Sequence, residues 1–219
     1  MTSGPEWARN PHSAMWCVTL THGITPEDVL DRYGADARTA QLLTEQQAVE
    51  LLDRDAPDAS VLCAGALGDW SFCSESLGVM GAMPGPLSEL SKGTETFSVL
   101  RGGDGMNVFA HWRGGRRIEQ FEPGNTHTEP APPHPWWDAI QQRIDSSGGE
   151  YTGLVPVLEA IAQYTGKTLD TRVLGGPLLT LRLEESHRTP DPPRTQPSPV
   201  LPSTPGRALG RLLGALRPR

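Results

Sequence analysis

The sequence predicts one α+β domain, in which an antiparallel sheet of five to six strands carries helices on one face. Two groups of short strands and several helix-start signals support this prediction. Residues 94–123 contain three short runs of strand-forming residues separated by glycine-rich turns, and residues 61–76 contain two more. Segments with helix caps or helical apolar spacing lie between and after them. Because a sheet that is buried on neither side is only marginally stable, the helices are expected to cover it.

The longer of these two segments alternates apolar and polar side chains, as Phe97 and Val99 do with their neighbours. Glycines within 102–105 and at 114–115 supply the positive φ that tight hairpin turns need. We therefore expect a three-stranded meander that ends at Pro123 and around which the rest of the chain packs. The arginines beside the second turn are compatible with an anion site, but exposed charges are usual at turns, which favours a solvated hairpin tip.

The N-terminal part is predicted to begin with a flexible arm and a strand. Residues 1–13 are polar and contain two prolines, which indicates the arm. Residues 16–21 are rich in strand formers, and a helix follows them. Thr25 is a suitable N-cap for this helix, Pro26 occupies the favoured first position, and Asp28 places an acid in the first turn.

A second helix is predicted to begin at Thr44, which can form a capping box with Gln47. Residues 61–67 and 70–75 are the two strands of a predicted hairpin. Residues 87–90 form a short helical turn that leads into the meander.

Helices are also predicted after the meander. Residues 135–144 form the first of them. Residues 152–164 place apolar side chains on one face and end at Gly166, which is a suitable C-terminal cap. Residues 178–183 are the last predicted strand, so the folded domain is expected to span residues 14–185.

The charge of the chain is unevenly distributed. The formal net charge is −7. From residue 186 onwards there are six arginines against one aspartate, so this part carries +5 and the remainder −12. An acidic body argues against nucleic-acid binding by the folded domain.

Cysteine usage and the hydropathy pattern bear on the compartment. The three cysteines are an odd number without a CxxC pair, and the N-terminus has no apolar core of a signal peptide. No run reaches the roughly 18 apolar residues of a membrane span. These features predict a cytoplasmic protein with reduced thiols.

The C-terminal part differs in character. Seven prolines between residues 189 and 205 predict a disordered linker over 186–205, followed by a basic amphipathic helix over 206–219. A short basic helix on a flexible tether suits a docking peptide for a protein partner or a weak contact with a membrane surface. The alternative is a frayed terminus without a function. The candidate partner-binding residues here are Arg207, Leu209, Arg211, Leu212, Leu213 and Leu216.

Six segments together form a recognisable pattern. They are WCVT at 16–19, VLDRYGAD at 29–36, GDWSFCSESLG at 68–78, LSKGTETFSV at 90–99, IEQFEPG at 118–124 and LEAIAQYTGKTLDTRVLGGPLL at 158–179. In this combination the chain resembles a family of small actinobacterial proteins of unknown function. The resemblance spans residues 14–183 and implies a soluble α+β fold and an actinobacterial source, but it supplies no catalytic residue. The linker and the basic tip depart from the family pattern.

Glu75 is the most unusual acid, because it follows Trp70 and Phe72 in a predicted strand among small residues. Together with Asp69 or Glu89 it would form the pair of carboxylates that glycoside hydrolysis uses. The simpler interpretation makes Glu75 a strand-end carboxylate that is hydrogen-bonded to a backbone turn. Asp69 is then a turn residue and Glu89 a solvated helix position.

Other reactive groups are less convincing. Cys73 lies two residues before Glu75, whose negative charge would raise the pKa of the thiol, and Cys17 sits in an apolar strand. His127 and His134 lie in a proline-rich loop, and the six histidines show no metal-ligand spacing. The glycine-rich turns do not precede a helix, as a phosphate-binding loop requires. We therefore expect no metal and no cofactor.

Trp136 and Trp137 are adjacent at the start of a predicted helix, so they cannot both face a single core stripe. They are candidates for an exposed patch that binds a partner. The alternative buries one indole and half-buries the other.

These observations favour a non-enzymatic module that binds another protein. Two alternatives stay open. One is a small hydrolase centred on Glu75, and the other is a small-molecule-sensing domain with a pocket between the sheet and the helices.

Overall fold

The computed structural model describes residues 4–9, 15–52, 59–103, 105–148 and 153–183. The strands in this part of the chain are β1 (Trp16–His22), β2 (Gln41–Leu43), β3 (Ser60–Leu67), β4 (Trp70–Ser76), β5 (Glu95–Arg101), β6 (Asn107–Arg113), β7 (Arg116–Phe121) and β8 (Leu178–Leu183). The helices are α1 (Pro26–Arg32), α2 (Glu45–Glu50), α3 (Pro84–Leu90), α4 (Pro135–Ser146), α5 (Val155–Thr165) and α6 (Thr171–Gly175).

The strands form one antiparallel sheet in the order β2-β8-β3-β4-β1-β5-β6-β7. The described residues thus contribute eight strands, so the prediction of five to six was wrong. Strand β2 has only three residues and no alternating pattern, and β8 inserts between β2 and β3 although it comes last in sequence. The predicted meander is present as β5-β6-β7, but it forms one edge of the sheet, and β1 lies in the interior.

The local helix signals predicted their helices correctly. The Thr25 side chain accepts a hydrogen bond from the Asp28 backbone N–H, and the Asp28 carboxylate accepts one from the Thr25 N–H, which completes a capping box. Thr44 and Gln47 form the same arrangement at the start of α2. Gly166 ends α5 with a φ of +68°, the left-handed conformation that favours glycine at this position.

Helices pack on both faces of the sheet, so the prediction of helices on one face was wrong. Helices α4 and α5 cover the first face, where Phe97 and Phe109 pack against Trp136. Helices α1 and α3 cover the second face. The alternation of threonines and serines with apolar residues in the central strands is typical of a sheet with one face in solvent. In the structure these hydroxyl side chains are buried and hydrogen-bonded, and the Oγ1 atoms of Thr21 and Thr96 lie 3.0 Å apart.

The N-terminal arm packs against the domain where the structure describes it. Residues Glu6–Arg9 form a 3₁₀ helix, and Ala8 is fully buried. The indole Nε1 of Trp7 donates a hydrogen bond to the Leu169 carbonyl oxygen at 2.8 Å. Residues 4–9 of the expected arm therefore pack against the domain, because Ala8 and the Trp7 indole find partners far along the chain.

None of the helices in the described part of the chain has the length and hydropathy of a membrane span. The predicted linker at 186–205 and tip at 206–219 lie outside the described residues.

Candidate ligand-binding pocket

A cavity of about 220 Å³ lies between the sheet and the short helices α2 and α6. Its floor includes Val18, Ser74, Cys63 and Thr180, which are consecutive cross-strand neighbours on β1, β4, β3 and β8 and therefore share one face of the sheet. Three of these four side chains are small and polar. Helices α2 and α6 have only six and five residues. They bring few large side chains over this half of the sheet, so space remains.

Two indoles border the same cavity. The rings of Trp7 and Trp16 lie 4.8 Å apart between centroids and are tilted by 58°. Trp7 is held in place by its hydrogen bond to the Leu169 carbonyl oxygen. Part of the wall is thus an aromatic pair in which the orientation of Trp7 is fixed before any ligand binds, which reduces the entropic cost of binding.

The Cys63 thiol lies on the floor of this cavity and is partly exposed. Burial raises the pKa of Cys63, a hydrogen bond with Thr180 lowers it, and the nearby charges of Glu45 and Glu75 raise it further. A thiol with a raised pKa stays protonated at neutral pH, so Cys63 does not have the properties of a catalytic nucleophile.

Glu75 lies on the opposite face of the sheet, where it is 1% exposed. Its Oε2 accepts a hydrogen bond from the Met80 N–H at 2.9 Å, and its Oε1 accepts one from the Gly81 N–H at 2.6 Å. The Tyr33 hydroxyl donates to Oε1 at 3.4 Å. The carboxylate thus holds the 3₁₀ turn Met80–Ala82 against the sheet, as the hydrogen-bonding interpretation of the sequence expected.

The groups around Glu75 are held in their neutral forms. Burial, followed by the charge of Glu75, raises the pKa of both Cys17 and Cys73 well above the usual range. Burial also raises the pKa of Tyr33, with further contributions from Cys73 and Glu75. The raised pKa of Cys73 has the direction expected from the sequence, although burial contributes more than the neighbouring acid.

The three acids considered for hydrolysis do not come together. Asp69 is exposed in the turn before β4, and Glu75 lies six residues later, roughly 20 Å away along an extended strand. Glu89 is in α3 and pairs with Lys92 at 2.6 Å. Neither Asp69 nor Glu89 is therefore placed to act with Glu75 as a catalytic pair of carboxylates.

A second group of titratable residues ties α5 to the sheet. The Glu95 carboxylate accepts hydrogen bonds from Arg113 at 2.7 Å and from the Tyr164 hydroxyl at 3.0 Å, and His111 Nε2 lies 3.2 Å from it. Burial raises the pKa of Glu95, but these hydrogen bonds outweigh it and lower the pKa overall. With both oxygens engaged by donors, Glu95 is better suited to anchoring Tyr164 than to taking up a proton from a substrate.

Comparison with protein families identifies a family to which more than half of the chain matches. Residues 5–152 match the model of a family of unknown function, DUF6461, and this range is more than half of the chain. The chain belongs to the DUF6461 family. No curated protein and no solved structure matches it.

The DUF6461 match covers only part of the cavity wall. The bordering residues from Trp7 to Ser76 lie inside the matched range, whereas Leu174, Leu178 and Thr180 lie beyond it. The strand β8 and the helix α6 that complete the cavity therefore come from the part of this DUF6461 protein outside the match.

The tryptophan pair of this DUF6461 protein does not form an exposed patch. Trp136 is 9% exposed and Trp137 is 5% exposed. The two indoles reach different parts of the same core, Trp136 packing on Phe97 and Trp137 on Phe121. The prediction assumed a single core stripe on the helix and was wrong, because both indoles reach the core although Pro135 and Asp138 beside them are exposed.

The start of α4 is capped by a residue that was not predicted from the sequence. The Glu119 side chain on β7 accepts hydrogen bonds from the N–H groups of Trp136 at 3.2 Å and Trp137 at 3.1 Å. His134 at the N-cap makes no side-chain cap bond. A buried acid on a neighbouring strand therefore takes the place of a local cap, and no spacing rule within the helix could have found it.

Within the described residues, no group of three or more His, Cys, Asp or Glu side chains could hold a metal ion. The closest arrangement to the one considered in the sequence is at His134. Its Nε2 lies 3.5 Å from Glu129 and its Nδ1 lies 3.2 Å from Asp138, whereas His127 is exposed in the 3₁₀ turn Thr126–Thr128.

The remaining predicted site residues lie outside the described residues, and their role in partner binding stays a prediction. They are Arg207, Leu209, Arg211, Leu212, Leu213 and Leu216.

Three residues that border the cavity were not predicted from the sequence to bind a ligand, namely Trp7, Glu45 and Thr180. Trp7 was assigned to a flexible arm, and the row that joins Cys63 to Thr180 depends on a strand pairing across more than a hundred residues.

Proposed function

We propose that this DUF6461 protein is a small-molecule-binding domain whose site is the cavity between β8-β3-β4 and the helices α2 and α6. The observation that carries the proposal is the cavity itself, about 220 Å³ bordered mainly by apolar side chains with a few hydroxyl and thiol groups. This composition is typical of ligand sites, in which apolar walls supply affinity and a few polar groups fix orientation.

The size of the cavity supports a ligand rather than a packing defect. Protein interiors are packed as densely as organic crystals, with few voids larger than a water molecule. An apolar cavity of about 150 Å³ holds one benzene molecule. A cavity of 220 Å³ therefore has room for a ligand of roughly ten non-hydrogen atoms.

The position of Cys63 argues for binding without covalent chemistry. Its pKa is raised by burial and by the nearby glutamates, so the thiol is a poor nucleophile. The Glu75 carboxylate is directed to the opposite face and is occupied by two backbone N–H groups. The hydrolase hypothesis is therefore the less favoured alternative.

A fragment screen on the full chain tests this proposal. Neutral, cationic and anionic fragments of eight to twelve atoms are screened at millimolar concentration by thermal shift, and hits are repeated with Val49→Trp. Val49 is 52% exposed and borders the cavity, so an indole there would block the mouth without disturbing the core. A ligand that binds only the folded state raises the unfolding temperature.

Val79→Trp is the matched control, because Val79 is exposed and does not border the cavity. We expect hits that stabilise the wild type and Val79→Trp but not Val49→Trp. If every hit stabilises Val49→Trp as much as the wild type, or if no fragment stabilises the protein, the proposal is wrong.

Three further proposals come from the sequence. The basic tip at 206–219 is a docking peptide for a protein partner, and a pull-down with and without residues 186–219 tests it. A cytoplasmic location is supported by the free thiols of Cys17, Cys63 and Cys73. An actinobacterial source is supported by the resemblance of segments such as VLDRYGAD at 29–36.

A further inference from the structure

We infer that the ligand of this pocket is a small organic cation, namely an amine or a quaternary ammonium group on an apolar body. This inference rests on the proposed function, because it specifies the ligand of the same cavity. Three observations carry it: the sign of the charges at the cavity, the aromatic pair in its wall, and its volume.

The charges at the cavity are negative. Among the described residues that border it, the charged ones are Glu45 and Glu75, and none is a lysine, arginine or histidine. Glu75 is bonded on the opposite face, which leaves Glu45 at the start of α2 as the available carboxylate. The charge of Glu45 reaches the floor, because it contributes to the raised pKa of Cys63.

An anionic ligand would lose its hydration in this cavity without gaining a cationic partner, and that loss is costly. Arg182 is the cross-strand neighbour of Val61, which borders the cavity, but Arg182 itself does not border it. A cation, by contrast, would find the carboxylate of Glu45 as its counter-charge.

The aromatic pair also favours a positive charge. Trp7 and Trp16 both border the cavity, and their rings meet at 58° with centroids 4.8 Å apart. The face of an indole attracts a cation more strongly than the other aromatic side chains do, and quaternary ammonium groups are recognised in proteins by aromatic side chains. Two indoles in the wall therefore favour a positively charged ligand over a neutral one.

The volume and the apolar walls of the cavity determine the size and the hydrocarbon character of the ligand's body. Val18, Ala48 and Leu178 border the cavity and would contact a hydrocarbon body. At roughly ten non-hydrogen atoms in total, the ligand is about the size of a phenylethyl or benzyl group with its ammonium head.

The test compares four probes that differ mainly in charge, measured by ligand-observed NMR with the full chain. They are 2-phenylethylammonium, benzyltrimethylammonium, 2-phenylethanol and 3-phenylpropionate. We expect both cations to bind at least about tenfold more tightly than the alcohol, and the carboxylate to bind weakest. Glu45→Gln should weaken the cations about fivefold or more and change the alcohol less than about twofold.

Glu50→Gln is the matched control, because Glu50 is exposed on the same helix and does not border the cavity. It should leave all four affinities within about twofold of the wild type. Equal binding of cation and alcohol, preferential binding of the carboxylate, or equal effects of Glu45→Gln and Glu50→Gln would each overturn the inference. Absence of binding by all four probes would overturn it as well.

The two proposals fail separately. The fragment screen is not restricted to cations and depends on the Val49→Trp variant. If neutral or anionic fragments bind and are blocked by that variant, the pocket stands and the assignment of its ligand as a cation is wrong. If no fragment depends on Val49, the pocket itself is wrong.

Discussion

The Glu75 carboxylate and the Gly81 backbone N–H are joined by a hydrogen bond of 2.6 Å beneath the second face of the sheet. With the bond from Met80, it fixes the turn that leads from β4 to α3. The Gly81 carbonyl oxygen in turn accepts a bond from the Ser98 hydroxyl at 2.5 Å. This turn is therefore connected to β4 through Glu75 and to β5 through Ser98.

Glu75→Gln should lower the free energy of unfolding by about 1–3 kcal/mol, because the amide nitrogen cannot accept and leaves one buried N–H unpaired. Urea unfolding of the full chain measures this change. Glu89→Gln is the control, because Glu89 is partly exposed and its partner is the exposed Lys92. If the two substitutions cost the same, Glu75 does not have this structural role.

Gly81→Ala should destabilise the same region for a steric reason. A Cβ atom at Gly81 would lie 2.6 Å from the Tyr33 hydroxyl oxygen, 2.8 Å from Thr19 Cγ2 and 2.9 Å from Glu75 Oε1. All three neighbours belong to buried residues, so we expect a loss of about 1–3 kcal/mol in the free energy of unfolding.

Gly175→Ala provides the matched comparison for this steric effect. No atom would lie within 4 Å of a Cβ at Gly175, and its φ is not positive. Thermal and urea unfolding should show little or no loss for this variant. A Gly81→Ala protein as stable as Gly175→Ala would contradict the packing described around Tyr33.

Local sequence signals predicted most of the helices and strands correctly. Contacts between residues far apart in the sequence could not be predicted. Thr25 with Asp28 and Thr44 with Gln47 predicted two helix starts, because a capping box depends on residues three apart. The cap of α4 by Glu119 bridges seventeen residues and leaves no local pattern. The burial of Thr19 and Ser98 was missed because alternating apolar and polar residues normally indicate one solvated face, whereas here both faces are covered. Their hydroxyl groups are hydrogen-bonded to Tyr33 and to the Gly81 carbonyl oxygen, contacts with distant residues that the sequence does not reveal.

The candidate site was missed for the same reason, because its residues come together through contacts between distant parts of the sequence. Cys63 was not predicted to lie in a pocket, because its neighbour Thr180 is brought to it by the β3–β8 pairing. Trp7 was placed in an arm, since the carbonyl oxygen that orients its indole belongs to Leu169. A pocket whose walls come from both ends of the chain cannot be assembled from spacing alone.

The protein should lose stability as the pH falls, because Glu95 and His111 both have lowered pKa values in the folded state. Burial lowers the pKa of His111 below its ordinary value of 6.5, although Glu95 acts against this shift. The pKa of Glu95 is also lowered, from an ordinary value of 4.5. In both cases the unfolded chain binds the proton more readily, so stability is lost as pH falls.

The expected loss begins below about pH 6.5 for His111 and below about pH 4.5 for Glu95. Urea unfolding between pH 7.5 and 3.5 for the wild type, His111→Gln and Glu95→Gln measures the two contributions. His111→Gln should reduce the loss between pH 7 and 5, and Glu95→Gln the loss below pH 4.5. Stability that rises on acidification through either window would show that the sign is wrong.

The three cysteines should react with a maleimide at different rates. Cys17 and Cys73 are fully buried, whereas Cys63 is partly exposed at the cavity. We expect the native protein to form an adduct at Cys63 first, as identified by mass spectrometry, and all three cysteines to react once the chain is unfolded.

The rate of adduct formation at Cys63 should continue to rise with pH beyond about 9, because burial and nearby glutamates raise the pKa of this thiol above its ordinary value of 9.0. Cys63→Ser should remove the first adduct, and a cavity ligand should slow its formation in the wild type. Modification of Cys17 or Cys73 as fast as Cys63 in the native protein would contradict the burial that the fold assigns to them.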